Sequence, residues 1–241
     1  MLRLYATSIR EATEADLAHY LPLLSEARQQ KILRYHFPKD QLRSLYGELL
    51  LRHAIQEALP TGEALRGPLH FAYEEHGKPY LPEHPELHVS ISHSGDMVSA
   101  AVSDCPVGID IEELREPRLR LARKFFTPGE YERIAAAPEG EQGYLFTDFW
   151  VAKESHIKCT GRGLGQGLST FEIELGTDGS CRLHAPKEAA RRYQMKLWHT
   201  ANGCAAVCVE RSTPITEELE LIPWGALGDA PLVLHKEVPI Q

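Results

Sequence analysis

No apolar run in this 241-residue chain approaches the ~20 residues that a bilayer span requires. The opening stretch MLRLYATSIREATEADLAHYL breaks any signal-peptide core with Arg3, Arg10 and Glu11. A cytoplasmic protein with no membrane partner is the expectation. Cysteine is scarce: five residues, at 105, 159, 181, 204 and 208, an odd number with no C-x-x-C among them. Neither a disulfide framework nor a zinc knuckle is signalled. Cys204 and Cys208 lie an even number of residues apart on the strand-like CAAVCVE, so they face one side and read as buried reduced thiols. Basic charge is in deficit. Lys and Arg number 26 against 34 Asp and Glu, a formal −8, which argues against nucleic acid as a partner and leaves room for a local basic site. GRGLGQG at 161–167 is rich in glycine but lacks the Gly-Lys-Ser/Thr of a phosphate-cradling loop, and reads as a helix end and a turn.

What is present is an ordinary globular composition, 43% hydrophobic and 25% charged, in a pattern that occurs twice. Leu42, Leu45, Tyr46, Leu49, Leu50 and Ile55 recur mostly at three- and four-residue steps and predict a long amphipathic helix over 38–59. Strands are predicted at 69–73, 87–92, 97–103 and 107–112. Thr127, Pro128 and Glu130 spell a capping box at a helix start. A second long helix runs from about Glu141 to Thr160, stopped by Gly161, and strands follow at 170–175, 181–184, 195–200 and 204–209. The fold class is α+β: two similar α+β lobes, 1–105 and 106–226, with 227–241 as a peripheral tail.

The chemistry concentrates in two stretches. In VGIDIEELRE, 107–116, the apolar Val107, Ile109 and Ile111 alternate with Gly108, Asp110 and Glu112, the pattern of a half-buried strand. Residues two apart on a strand share a face, so Asp110 and Glu112 present two carboxylates together. Such a pair repels unless a cation lies between its members, and hard oxygen donors suit Mg²⁺. A side chain at Gly108 would crowd that face. The alternative is a solvated edge strand. In FWVAKESHIKCTGRGL, 149–164, Glu154 and Lys158 lie four apart on one helix face behind Trp150. They are either a surface ion pair or a third carboxylate with a phosphate-binding cation. Upstream, Gly77-Lys78-Pro79 offers a turn carrying one cation, and His93 stands between Ser92 and Ser94 at a strand end. With Arg28, Lys31 and Arg43 these could form an anion pocket.

GIDIE (108–112), WVAKESHIK (150–158), GKP (77–79) and ISHSG (91–95), in this order and spacing, resemble the Sfp-type 4′-phosphopantetheinyl transferases, and the resemblance runs from residue 1 to about 222. It implies a pseudo-dimer of two α+β lobes with coenzyme A in the cleft between them. It also implies roles. Asp110, Glu112 and Glu154 would hold Mg²⁺ against the coenzyme A pyrophosphate, and Lys158 would contact that pyrophosphate. Gly77, Lys78 and Pro79 match the turn against the adenine and its phosphates. Ser92, His93 and Ser94 match a second nucleotide-contacting stretch, and Arg28, Lys31 and Arg43 match basic positions near the 3′-phosphate.

The activity so implied is transfer of the 4′-phosphopantetheine arm to a serine of an apo acyl or peptidyl carrier protein, releasing adenosine 3′,5′-bisphosphate. By analogy, the carrier would belong to nonribosomal peptide synthesis. Glu154 would be the base for the serine proton or only a metal ligand, with Lys158 assisting departure. REPRLRLARK, 115–124, with five basic residues and one acid, is the expected docking face for an acidic carrier. A chain that already carries two lobes is expected to act as a monomer. Two other readings use the same residues: a non-catalytic coenzyme A-binding module, and a metal-dependent phosphohydrolase.

Overall fold

Period-two apolar patterning builds two largely antiparallel sheets in the computed structural model, which describes residues 1–60, 64–163, 165, 167–185, 192–216 and 218–227. The tail expected over 227–241 lies, from 228 onward, outside the described residues, as do 164 and 166 of the glycine-rich turn. In chain order the elements are β1 (Leu2–Ser8), α1 (Glu14–Tyr20), α2 (Glu26–Leu33), α3 (Pro38–Gln56), β2 (Ala72–Tyr73), β3 (Pro79–Tyr80), β4 (His88–Ser94), β5 (Met97–Ser103) and β6 (Val107–Glu113). Then come α4 (Leu119–Phe125), α5 (Pro128–Ala136), α6 (Glu139–Thr160), β7 (Glu172–Leu175), β8 (Ser180–His184), β9 (Tyr193–Thr200), β10 (Gly203–Glu210) and β11 (Glu220–Leu221). The first sheet has the order β11-β1-β5-β4 and the second β6-β10-β9-β8-β7, while β2 and β3 form a separate hairpin.

Each sheet carries one long helix. The apolar face of α3 closes a core over the first sheet with Tyr5, Val89, Val98, Ala100 and Val102. Beneath α6, Phe149, Ala152 and Ile157 meet Cys204, Ala206 and Cys208 of β10. The opposite faces of the sheets meet each other: Leu2, Leu4 and Ala101 pack on Val107, Ile109, Val207 and Val209. β6 is therefore buried on both sides. Neither the expected half-buried strand nor its alternative, a solvated edge strand, describes β6, because α6 covers the face that carries Gly108 and Asp110, and Asp110 is only 4% exposed.

The capping box forms as read: Thr127 N donates to Glu130 Oε2 at 2.9 Å and Thr127 Oγ1 accepts from Glu130 N at 3.4 Å. Gly161 ends α6 with φ +69°. Of the strand expected at 69–73 only Ala72–Tyr73 pairs, with β3, while Leu65 and Leu69 plug irregular chain into the first core. The segment 218–227, grouped by sequence with the second lobe, returns to the first: β11 pairs parallel with β1, and Trp224 and Leu227 pack into the α3 core. All five cysteines are free thiols.

Candidate active site

β4 and β6 are the facing edges of the two sheets, and serines rather than a backbone ladder join them. Every second residue of β4 contributes one. Ser90 Oγ accepts from Ile109 N at 3.0 Å, Ser92 Oγ donates to Asp110 Oδ1 at 2.6 Å, and Ser94 Oγ donates to Glu112 Oε2 at 2.5 Å. Ser94 also accepts from Arg115 Nη2 at 3.1 Å. The hydroxyls of Ser92 and Ser94 are thus committed to the acidic strand, whereas His93, one pleat away, lines the open cleft.

Over this seam lies α6, and Gly108 sets how close it comes. A Cβ there would stand 2.1 Å from Ser155 O and 2.3 Å from Cys159 N. The glycine admits helix backbone; what it excludes is a collision with α6 rather than crowding of the ligand face. Through this contact Glu154 and Lys158 come over Asp110 and Glu112. Lys158 Nζ lies 2.7 Å from Asp110 Oδ1 and 2.8 Å from Ser92 Oγ, so its partner is the strand acid and not its helix neighbour.

Asp110 Oδ2 and Glu154 Oε1 are buried with no hydrogen-bond partner. Burial first, then the neighbouring Asp110 and Glu112 charges, push the Glu154 carboxyl up to about 7, with Lys158 opposing. Burial also raises Glu112, against the Ser94 hydrogen bond that lowers it. Two orphaned carboxylate oxygens beside a third acid are a donor set that a hard divalent cation would complete. They are not a finished cage: among the described residues no three His, Cys, Asp or Glu side chains are already placed to hold an ion. The Lys158 ammonium on Asp110 supplies the neutralising charge instead.

The cleft in front of these acids has a volume of about 450 Å³. The second lobe contributes Asp110, Glu112, Trp150, Glu154 and Lys158; the first contributes Arg28, Lys31, Arg43, His93 and an apolar wall of Phe71, Tyr73, Pro79 and Ile91. Each cation is held. Arg28 donates through Nε to the fully buried Glu48 at 2.8 Å and stacks on Phe71. Lys31 Nζ lies over the Tyr73 ring and bonds its hydroxyl at 3.0 Å. Arg43 is braced by Gly95 O and Asp40, each at 2.7 Å. Desolvation and the Arg43 and Lys158 charges lower His93, which favours the neutral imidazole.

Of the expected site residues, Arg28, Lys31, Arg43, Pro79, Ser92, His93, Asp110, Glu112, Glu154 and Lys158 line this one cleft; Gly77, Lys78 and Ser94 do not. Sequence reading missed Phe71, Tyr73 and Trp150 as wall residues, and Glu48, which is buried behind the wall on Arg28. It also missed Lys153, whose ammonium is fully buried on Glu130 (2.8 Å), Leu168 O (2.8 Å) and Phe171 O (2.6 Å), tying α6 to the cap of α5.

Comparison with known proteins follows the two halves of the chain. A model described as the 4′-phosphopantetheinyl transferase superfamily matches residues 106–208, and one described as 4′-phosphopantetheinyl transferase, N-terminal, matches 11–105. The 4′-phosphopantetheinyl transferase psf-1 of Bacillus pumilus is 40% identical over 171 residues, 70% of this chain and 71% of that protein. The 4′-phosphopantetheinyl transferase Sfp of Bacillus subtilis (strain 168) is 32% identical over 218 residues, 90% of this chain and 96% of that one. Among solved structures, a Bacillus anthracis holo-(acyl-carrier-protein) synthase in complex with CoA matches at TM-score 0.38 and 21% identity, covering 44% of this chain and 95% of its own.

Proposed function

The chain belongs to the 4′-phosphopantetheinyl transferase superfamily, and from that premise we propose that it moves the 4′-phosphopantetheine arm of coenzyme A onto a serine hydroxyl of an apo carrier protein. Adenosine 3′,5′-bisphosphate leaves. The observation that carries the reading is the cleft itself, with braced cations and an apolar wall from one lobe facing three acids and Lys158 from the other. That division suits a nucleotide whose phosphates must be held at one end and attacked at the other.

Phosphoryl-type transfer asks a protein mainly for positioning and charge neutralisation. Arg43, Lys31 and Arg28, already fixed by Asp40, Tyr73 and Glu48, lose little side-chain freedom on meeting a 3′-phosphate. Phe71, Tyr73 and Pro79 offer flat apolar surface to the adenine. Lys158 follows the pyrophosphate, exchanging its contact with Asp110 for phosphate oxygens. Asp110, Glu112 and Glu154 would hold Mg²⁺, which, when bound, offsets the charge of the diphosphate and of the departing oxygen. Glu154 takes the serine proton, directly or through one water. A side-chain pKa of about 7 is close to the working pH of a general base. A cation beside it lowers that value, which secures the ionised form and weakens it as a base.

The carrier docks on 115–124, where Arg115, Arg118, Arg120, Arg123 and Lys124 are exposed. Beside them a pocket of about 60 Å³ with Leu121, Phe146 and Trp150 in its lining shares Glu112 and Trp150 with the cleft. An acidic helical carrier would find charge there and an apolar foothold one step from the acids. A carrier of nonribosomal peptide synthesis is the fit suggested by relatives such as Sfp. Intact-protein mass spectrometry of an apo carrier incubated with the protein, coenzyme A and Mg²⁺ tests the reading. One phosphopantetheine gained per carrier is expected; binding of coenzyme A with no gain on any carrier would leave only a binding module, and phosphate released without a carrier would indicate a hydrolase.

A further inference from the structure

The turn between β2 and β3 belongs to the first lobe, yet it is seated on the end of a helix from the second. It closes on itself, with Glu74 N donating to Lys78 O and Gly77 N to Glu74 O, both at 2.9 Å, and with Gly77 at φ +84°. Lys78 turns away from the cleft. Its Nζ donates to Cys159 O at 2.8 Å, in the last turn of α6, and to Val107 O at 3.3 Å, the first residue of β6. The approach is tight. A Cβ on Gly161 would stand 2.7 Å from Glu74 Oε2 and 3.2 Å from Lys78 Cδ, and one on Gly163 would stand 3.2 Å from His76 Cβ. The last carbonyls of a helix have no partner within it, and a cation there both satisfies them and matches the negative end of the helix dipole.

We propose that Lys78 is a positioning residue, a clamp between the lobes that sets the height of α6 over β6 and so fixes Glu154 and Lys158 above Asp110. The inference rests on the transferase reading, and it replaces a nucleotide contact with a structural one for this side chain. The chain of contacts is short: Lys158 directly precedes the clamped Cys159, and Glu154 lies one turn earlier. Val107 stands three residues before Asp110. Gly108 lets the backbones of helix and strand touch, and at that end the Lys78 ammonium, together with Cys159 Sγ donating to Pro106 O at 3.3 Å, ties them by polar contacts. A displacement of ~1 Å in a positioned group can cost ~10²-fold in rate.

Lys78→Met removes the charge and keeps the bulk, while Lys78→Arg keeps the charge and can reach two carbonyls. Steady-state kinetics with coenzyme A and an apo carrier, and amide exchange over residues 157–161, are measured on both full-length variants. The clamp predicts that Met lowers kcat by ~10-fold or more and leaves KM for coenzyme A within about threefold. It also predicts faster exchange confined to 157–161, with Arg restoring most of both. A KM raised ~10-fold with kcat and exchange unchanged would make Lys78 a nucleotide contact and overturn the proposal. So would a Met variant indistinguishable from the wild type. Should Met fail to fold, Lys78→Gln carries the same comparison. Exchange needs no turnover, so a wild-type protein that modifies no carrier would sink the transferase reading and leave the clamp to be decided by exchange alone.

Discussion

Glu154, the base proposed above, is a side chain held at a cost to stability. Its carboxyl is lifted from 4.5 to about 7 by burial and by Asp110 and Glu112. Between those values the folded protein keeps a proton that the unfolded chain has released. Stability therefore falls as pH rises from about 4.5 to about 7, and the full penalty is present above that. Glu154→Gln should accordingly stabilise the protein by about 1–2 kcal/mol near pH 8, after allowance for solvent screening, and by far less near pH 5. Urea midpoints at the two pH values measure it. The same substitution should lower kcat by ~10²-fold or more, so a gain in stability accompanied by undiminished transfer would remove Glu154 from the reaction. Mg²⁺ offers a second check on the same carboxyl. Binding must displace the proton that the raised Glu154 carboxyl retains toward neutral pH, so calorimetry in buffers of different ionisation enthalpy should show proton release and tighter binding from about pH 6 to about pH 8. Binding with no pH dependence would mean that Glu154 is no ligand.

At the scale of elements, the site is the crossing of α6 over β6, and Gly108 is where they touch. Gly108→Ala puts a methyl carbon 2.1 Å from Ser155 O, against backbone that cannot rotate away. The helix must lift. A loss of about 3 kcal/mol or more in unfolding free energy is expected, with kcat falling further than coenzyme A binding, as chemical denaturation and titration would show. The sequence made the need for glycine legible but not its reason, because the alternation of VGIDIE is local whereas the backbone that Gly108 admits comes from a helix forty-odd residues later. The same limit applies elsewhere. Asp110, Glu112, Glu154 and Lys158 could be named from motif spacing, yet the pairing of Lys158 with Asp110 instead of Glu154 depends on how the helix is seated. Ser92 and Ser94 read as flanking His93 at a strand end, and only the meeting of two sheet edges makes them, with Ser90, the seam between lobes. Glu48 and Lys153 carry charges on helix faces, and nothing in their spacing announces that Arg28 and Glu130 will bury them. Long helices and the capping box were readable because their determinants lie within one turn of each other.

For the whole molecule, the relevant quantity is where charge sits against a net −8. The docking proposed above needs positive charge where an acidic carrier would approach an acidic protein, and the exposed Arg118, Arg120 and Arg123 beside the cleft would supply it locally. Arg115 is less free, since it already serves Ser94 and lies 3.6 Å from Glu112. The triple change Arg118→Glu, Arg120→Glu and Arg123→Glu should therefore leave the cleft intact while reversing the field at its mouth. KM for the apo carrier should rise by ~10-fold or more, mainly through slower association, and KM for coenzyme A should stay within about twofold. The wild-type rate should fall steeply with added salt and that of the variant should not, because screening acts over a Debye length of ~8–10 Å near physiological ionic strength. Equal loss toward coenzyme A and carrier would place these arginines in the fold or the nucleotide site, and the docking face would have to be sought elsewhere around the cleft.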